Sequence, residues 1–218
     1  MVKEIAVYGA GGFARETAWL VQSCSKESIK YKVVCFIDDN EASHGTFLNG
    51  IPIMSLENAR SQYPGAKIVT AVGAPKTRQK LVEKAASVGF EFETIVHPRV
   101  ERSQWVDIGL GSVICAGNIL TVNIVLRQHV QINLDCTIGH DVKMDDYTTL
   151  APGVHVSGWV HFGKRVYVGT GAVIINGSKD KPIMIGDDAI IGAGGCVTKS
   201  VAANTTVLGV PAKPLVRG

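Results

Sequence analysis

From Ile132 the chain places an apolar residue at every sixth position without a miss: Ile132, Ile138, Met144, Leu150, Val156, Phe162, Val168 and Ile174. Four residues after each come Cys136, Val142, Thr148, Val154, Val160, Val166, Ala172 and Ser178, all small or β-branched. A period of six is neither the 3.6 of a helix nor the 2 of a strand. It fits a coil of short strands and turns in which three hexapeptides make one 18-residue turn, each strand pairing with its neighbours about 4.8 Å above and below. Gly and Asp/Asn residues are expected at the corners. Leu110, Ala116 and Val122 before the block, and Ile185, Ile191 and Val197 after it, extend the period with breaks between. The segment Asn176-Gly177-Ser178-Lys179-Asp180-Lys181-Pro182 interrupts the count and reads as an exposed loop.

Before His97-Pro98 the grammar is different. Ile5-Ala6-Val7-Tyr8 reads as a strand, Gly9-Ala10-Gly11-Gly12 as a tight loop, and Phe13 to Gln22 as a helix with Trp19 and Leu20 on its apolar side. Strands are expected over Lys32 to Ile37 and Lys67 to Val72, and helices over Ser55 to Gln62 and Lys76 to Val88. This β-α-β alternation implies a small, Rossmann-like α/β domain with a parallel sheet over residues 1–96, followed by an all-β coil over 97–218.

Composition narrows the classes. Apolar residues make up 46% of the chain, charged residues 19%, and there are 24 glycines, a balance that reads as globular and rich in turns. The net charge of +3 is scattered, with no basic run interleaved with aromatics, so no nucleic-acid partner is expected. No apolar run approaches a membrane span and the amino terminus does not read as a signal peptide, so a cytoplasmic protein without a membrane partner is expected. Five scattered cysteines, with no C-x-x-C, read as free thiols.

Two constellations carry chemistry. His140 stands two positions after the inward Ile138, where a core role is not expected, and Asp141 beside it can accept a hydrogen bond from the imidazole. The 18-residue arithmetic stacks His140, Gly158 and Asn176 in one column, with the glycine leaving room for a substrate carbonyl to reach a backbone N–H. The second constellation is the loop Gly9, Gly11, Gly12 and Phe13 between a strand and a helix, suited to meeting a phosphate, with Asp38 and Gly73 at the ends of the next strands in the same crevice.

The ordered combination of Val7-Tyr8-Gly9-Ala10-Gly11-Gly12-Phe13-Ala14-Arg15-Glu16, Phe36-Ile37-Asp38-Asp39, Ile95-Val96-His97-Pro98, Ile138-Gly139-His140-Asp141 and Gly209-Val210-Pro211-Ala212-Lys213 resembles the left-handed β-helix acyltransferases. The resemblance is to the group of sialic acid O-acetyltransferases and nucleotide-amino-sugar N-acetyltransferases. It implies a left-handed parallel β-helix, a homotrimer with acetyl-CoA between neighbouring β-helices, and a nucleotide-linked sugar on the amino-terminal domain. It also implies His140 as catalytic base with Asp141, and Gly158 and Thr149 toward the coenzyme; Asn176, from the column, and Lys213, in the terminal Gly-Val-Pro-Ala-Lys segment, are further candidates for coenzyme contact. Thr149 stands where many relatives have a second histidine. Gly9, Gly11, Gly12, Phe13, Asp38, Gly73 and Asn133 fall toward the sugar nucleotide.

The leading expectation is acetyl-CoA-dependent N-acetylation of a nucleoside-diphosphate-linked 4-amino-4,6-dideoxy sugar, in the making of O-antigen or other surface glycans. The nearest rival is O-acetylation of a sialic acid. A zinc enzyme built on three histidines is disfavoured, because His140, His155 and His161 form no column, and no metal is expected. A non-catalytic nucleotide-sensing trimer is the third class.

Overall fold

The computed structural model describes residues 2–25 and 29–215. The chain divides into two compact units, Met1–Pro98 and Arg99–Gly218.

In the first unit β1 (Val2–Tyr8), β2 (Lys30–Ile37), β3 (Phe47–Leu48), β4 (Ile51–Met54) and β5 (Lys67–Thr70) form a sheet in the order β3-β4-β2-β1-β5. The β1–β2, β1–β5 and β2–β4 pairings are parallel, and the β3–β4 hairpin is antiparallel. The centre strands read as unbroken apolar runs, Ile5 to Tyr8 and Val33 to Ile37, because both faces are buried. Helices α1 (Gly12–Ser23), α2 (Leu56–Gln62) and α3 (Pro75–Ser87) complete the unit.

Two sequence expectations change here. The β3–β4 hairpin was not foreseen, although Asn49-Gly50, both with positive φ (49° and 78°), is a strong hairpin signal. Trp19 is 56% exposed, because Ala14, Thr17, Ala18 and Val21 set the buried stripe of α1 and leave position 19 off it. The Trp19 indole instead leans on the His97 ring, with centroids 6.2 Å apart.

The second unit is a three-sided parallel coil. Pairing partners on each face are 18 residues apart: Leu120 with Ile138 and Val156, Leu126 with Met144 and Phe162, Ile132 with Leu150 and Val168. All eight members of the six-residue series are at most 3% exposed. Each contributes about 1.5–3 kcal/mol of apolar burial to a narrow core. After Ile174 the register jumps, Val160 pairing with Ile183 and Ile174 with Val197, which leaves room for an outward loop within 175–182.

The coil corrects two further expectations. Leu110 and Val122 are exposed, and the inward positions of the early turns belong to Ile114, Leu120 and Leu126, which continue the phase of Ile132. Ser178 is exposed, since the loop has by then left the coil. The corners hold residues in the left-handed region every six positions, among them Asn123, His129, Asp135, Asp141, Tyr147, Trp159 and Arg165, together with Gly111, Gly117, Gly153 and Gly171. Gly, Asn and Asp suit that conformation, whereas the bulkier residues are held there by the ladder and by stacking along the corner. His129 and Tyr147 lie parallel with centroids 5.2 Å apart, and Arg165 grips Asp188 with two hydrogen bonds of 2.9 and 2.8 Å.

Candidate active site

His140 reaches solvent because Ile138, two residues earlier, turns into the core and the chain then rounds a corner at Asp141 (φ 58°). The imidazole side chain is 54% exposed and the Asp141 side chain 25%. His140 Nδ1 and Asp141 Oδ2 are 2.8 Å apart. An ionised carboxylate only accepts, so Nδ1 carries the proton and Nε2 is left as the proton-accepting nitrogen.

The neighbouring turns frame this pair. Trp159 N–H donates to His140 O at 3.0 Å, and Gly177 N–H donates to Gly158 O at 3.0 Å, so residues 140, 158 and 176 stand in one column. Gly158 is buried directly against the imidazole. The Trp159 indole meets the ring edge-on, with centroids 6.4 Å apart and planes at 82°. Below the pair, Asn123 Nδ2 donates to Asp141 Oδ1 at 3.3 Å. Trp159 and Asn123 were missed in the sequence, although both lie 18 residues from Asp141 and the same arithmetic reaches them.

The other expected residues of this unit are dispersed. Asn176 is exposed at the start of the loop, its amide donating to Gly177 O at 3.2 Å. Asn133 lies at a different corner, where its backbone carbonyl accepts from the Asn118 amide at 2.8 Å. Thr149 is in the strand Thr149–Leu150 on another face and is 1% exposed, so a single chain does not bring it to His140. Lys213 lines a cleft of about 520 Å³ together with Lys199, Ser200, Pro211 and Ala212. Among the described residues no three His, Cys, Asp or Glu side chains gather as metal ligands.

In the first unit the loop after β1 leaves the amino end of α1 open. Gly9 takes φ 123° and would bring a Cβ to 3.0 Å from Ala71 O, so a side chain is excluded there on both counts. A Cβ on Gly11 would meet nothing within 4 Å, nor would one on Gly73, and one on Gly12 only the tip of Arg15. Gly11 at the N-cap supplies no side-chain cap to the first N–H groups of α1, and half-buried Phe13 follows it. Asp38 closes its own turn, accepting from Asn40 N–H at 2.8 Å.

The adjacent Asp39, which the sequence reading did not single out, accepts from Tyr8 Oη at 2.8 Å and Lys84 Nζ at 2.7 Å. Burial pushes its carboxyl up, but the bonds from Lys84 and Tyr8 outweigh that and hold it below the usual carboxylate value. Burial, then the Asp39 hydrogen bond, pushes the Tyr8 phenol well above its ordinary value. Arg78 is fully buried and donates to the carbonyls of Val72 and Gly73 at 2.9 and 3.2 Å, fixing the end of the crevice.

A three-sided coil carrying an exposed His–Asp pair at one corner, preceded by a small parallel α/β unit, defines a left-handed β-helix acyltransferase. Residues 4–85 match the PglD N-terminal domain family. The whole chain is 33% identical, over 97% of its length and 96% of the relative's, to GDP-perosamine N-acetyltransferase of Escherichia coli O157:H7. It therefore belongs to the family of sugar N-acetyltransferases that includes that enzyme. WeeI from Acinetobacter baumannii AYE superposes with a TM-score of 0.89 at 37% identity, covering 99% of this chain and 100% of that one. PerB from Caulobacter crescentus, solved in complex with CoA and GDP-perosamine, gives 0.84 at 27% identity, covering 97% of each.

Proposed function

We propose that this chain transfers the acetyl group of acetyl-CoA to the amino group of a nucleoside-diphosphate-linked 4-amino-4,6-dideoxy sugar, with His140 as general base. The observation that carries this reading is the His140–Asp141 pair, in which the Nδ1 bond to the carboxylate leaves Nε2 to accept a proton on a side chain that is 54% exposed. Asp141 holds the ring in the correct tautomer and stabilises the imidazolium that forms. The sugar nitrogen attacks the thioester carbon, the nitrogen's proton passes to Nε2, and collapse of the tetrahedral intermediate releases CoA thiol, which takes up the proton. In this reading the backbone N–H of Gly158 meets the developing oxyanion, while the space its missing side chain leaves is filled by the imidazole.

The open amino end of α1, with Gly9, Gly11, Gly12 and Phe13, receives the diphosphate, and Asp38 and Gly73 line the nucleoside side. Lys213 and Lys199, on the cleft at the far end of the coil, suit the phosphates of the coenzyme's nucleotide, and Asn176, exposed in the column of His140, is a further coenzyme contact in this reading. Asn133 and Thr149 lie on other faces of the same chain. They serve the reaction only if neighbouring copies bring a second face to His140, which a homotrimer with sites between subunits does. A cytoplasmic location fits both substrates.

The test is release of CoA thiol from acetyl-CoA in the presence of GDP-perosamine and of UDP- and dTDP-linked 4-amino sugars. Saturable release with one of them is expected, with a product heavier by one acetyl group. No release with any amino sugar, but release with a sialic acid, would overturn the assignment in favour of O-acetylation. Sedimentation of the purified protein tests the trimer.

A further inference from the structure

We propose that Asn123 is a positioning residue of the acyl-transfer site, acting on His140 through Asp141; this rests on the reading of His140 as the base. The two oxygens of Asp141 have separate partners. Oδ2 receives the imidazole at 2.8 Å and Oδ1 receives the Asn123 amide at 3.3 Å. With one donor the carboxylate is free to turn about its terminal torsion, a broad and soft coordinate. A second donor on the other oxygen fixes its plane, and with it the direction in which Nε2 points.

The backbone puts the two residues in register. Asn123 and Asp141 occupy the same corner on successive turns with φ of 55° and 58°, and Asp141 N–H donates to Val122 O at 3.1 Å. Left-handed geometry alone does not call for asparagine at such a corner. Equivalent corners hold Gly111, Gly117, His129, Tyr147 and Arg165. What Asn123 adds is an amide aimed at the acidic partner of the base. Asp141 is 25% exposed, so water would compete for Oδ1 if that amide were absent.

Glycine at 123 keeps the left-handed backbone and removes the amide. In Asn123→Gly, kcat is expected to fall roughly 3- to 10-fold, as for loss of one hydrogen bond to a charged group, with KM for both substrates and Tm unchanged. In an Asp141→Gly background the same substitution should change kcat by less than about 1.5-fold, because its route to the base is gone. Asn123→Asp keeps size and corner geometry but replaces the donor by an acceptor, and should lose at least as much kcat as Asn123→Gly. Wild-type kcat in either variant, or a full additional loss on top of Asp141→Gly, would overturn the proposal. His140→Asn run in parallel separates the layers: activity surviving that change would remove the base assignment itself and this inference with it.

Discussion

Gly158 and His140 oppose one another so closely that a Cβ on the glycine would come within 2.5 Å of both Cε1 and Nε2 of the imidazole. The ring lies where it does because position 158 has no side chain. In Gly158→Ala the half-exposed imidazole is the softer partner and swings outward, away from Asp141. We expect kcat to fall about 10- to 100-fold while Tm changes little, and steady-state kinetics beside a thermal melt would check both. Equal kcat in the variant would mean that the base works from another orientation.

Gly12→Asp should separate binding from chemistry. A carboxylate in the first turn of α1 favours the helix dipole, so stability is expected to hold or rise slightly. If the diphosphate sits at the open amino end as proposed, the same charge repels it, and KM for the sugar nucleotide should rise about 10-fold or more with kcat and the acetyl-CoA KM near wild type. An unchanged sugar-nucleotide KM would move the diphosphate away from this loop.

Asn118 is a polar residue inside the coil. It is fully buried, donates to Cys115 O at 2.7 Å and Asn133 O at 2.8 Å, and accepts from Cys136 N–H at 2.8 Å. Asn118→Leu removes these bonds and strands backbone groups of successive turns. A loss of about 2–4 kcal/mol is expected from denaturant melts.

His161 links stability to pH. Burial, then the charge of Lys143 beside it, holds its imidazole below the ordinary 6.5. The unfolded chain therefore binds the extra proton first. Stability from this group is complete above about pH 6.5 and falls as pH drops through the lower, folded-state value. The Tm loss between about pH 7.5 and about pH 5.5 should be smaller in His161→Phe than in the wild type. Identical losses would show that other groups carry the acid sensitivity.

Much of this was legible in the sequence, for a physical reason. A parallel coil repeats one environment every six residues, so the inward series, the loop after Ile174 and the column of His140 with Gly158 follow from counting. Counting fails where the side chain and the backbone disagree. Asn118 holds an inward position without being apolar, and Trp159 and Arg165 hold corners that suit glycine, because stacked neighbours and ladder bonds outweigh local preference. Asn123 and Asp39 were hidden differently: each is an ordinary surface residue until the fold supplies its partner, 18 residues away in one case and 45 in the other.

Every parallel coil ends in a row of unpaired backbone groups, an invitation for another copy to dock and extend the stack. Here the chain after the last full turn crosses all three faces. Val201 pairs with Met184 and Gly186, the segment from Gly209 to Ala212 bonds both sides of Cys196, and Lys213–Pro214 runs antiparallel against Thr206–Leu208. The reversal of direction at that last strand breaks the template: a fresh parallel turn has nothing in phase to add to. The same fold-back that carries Lys213 thus leaves no parallel edge for a further turn, and removing it should favour end-to-end polymers over discrete particles.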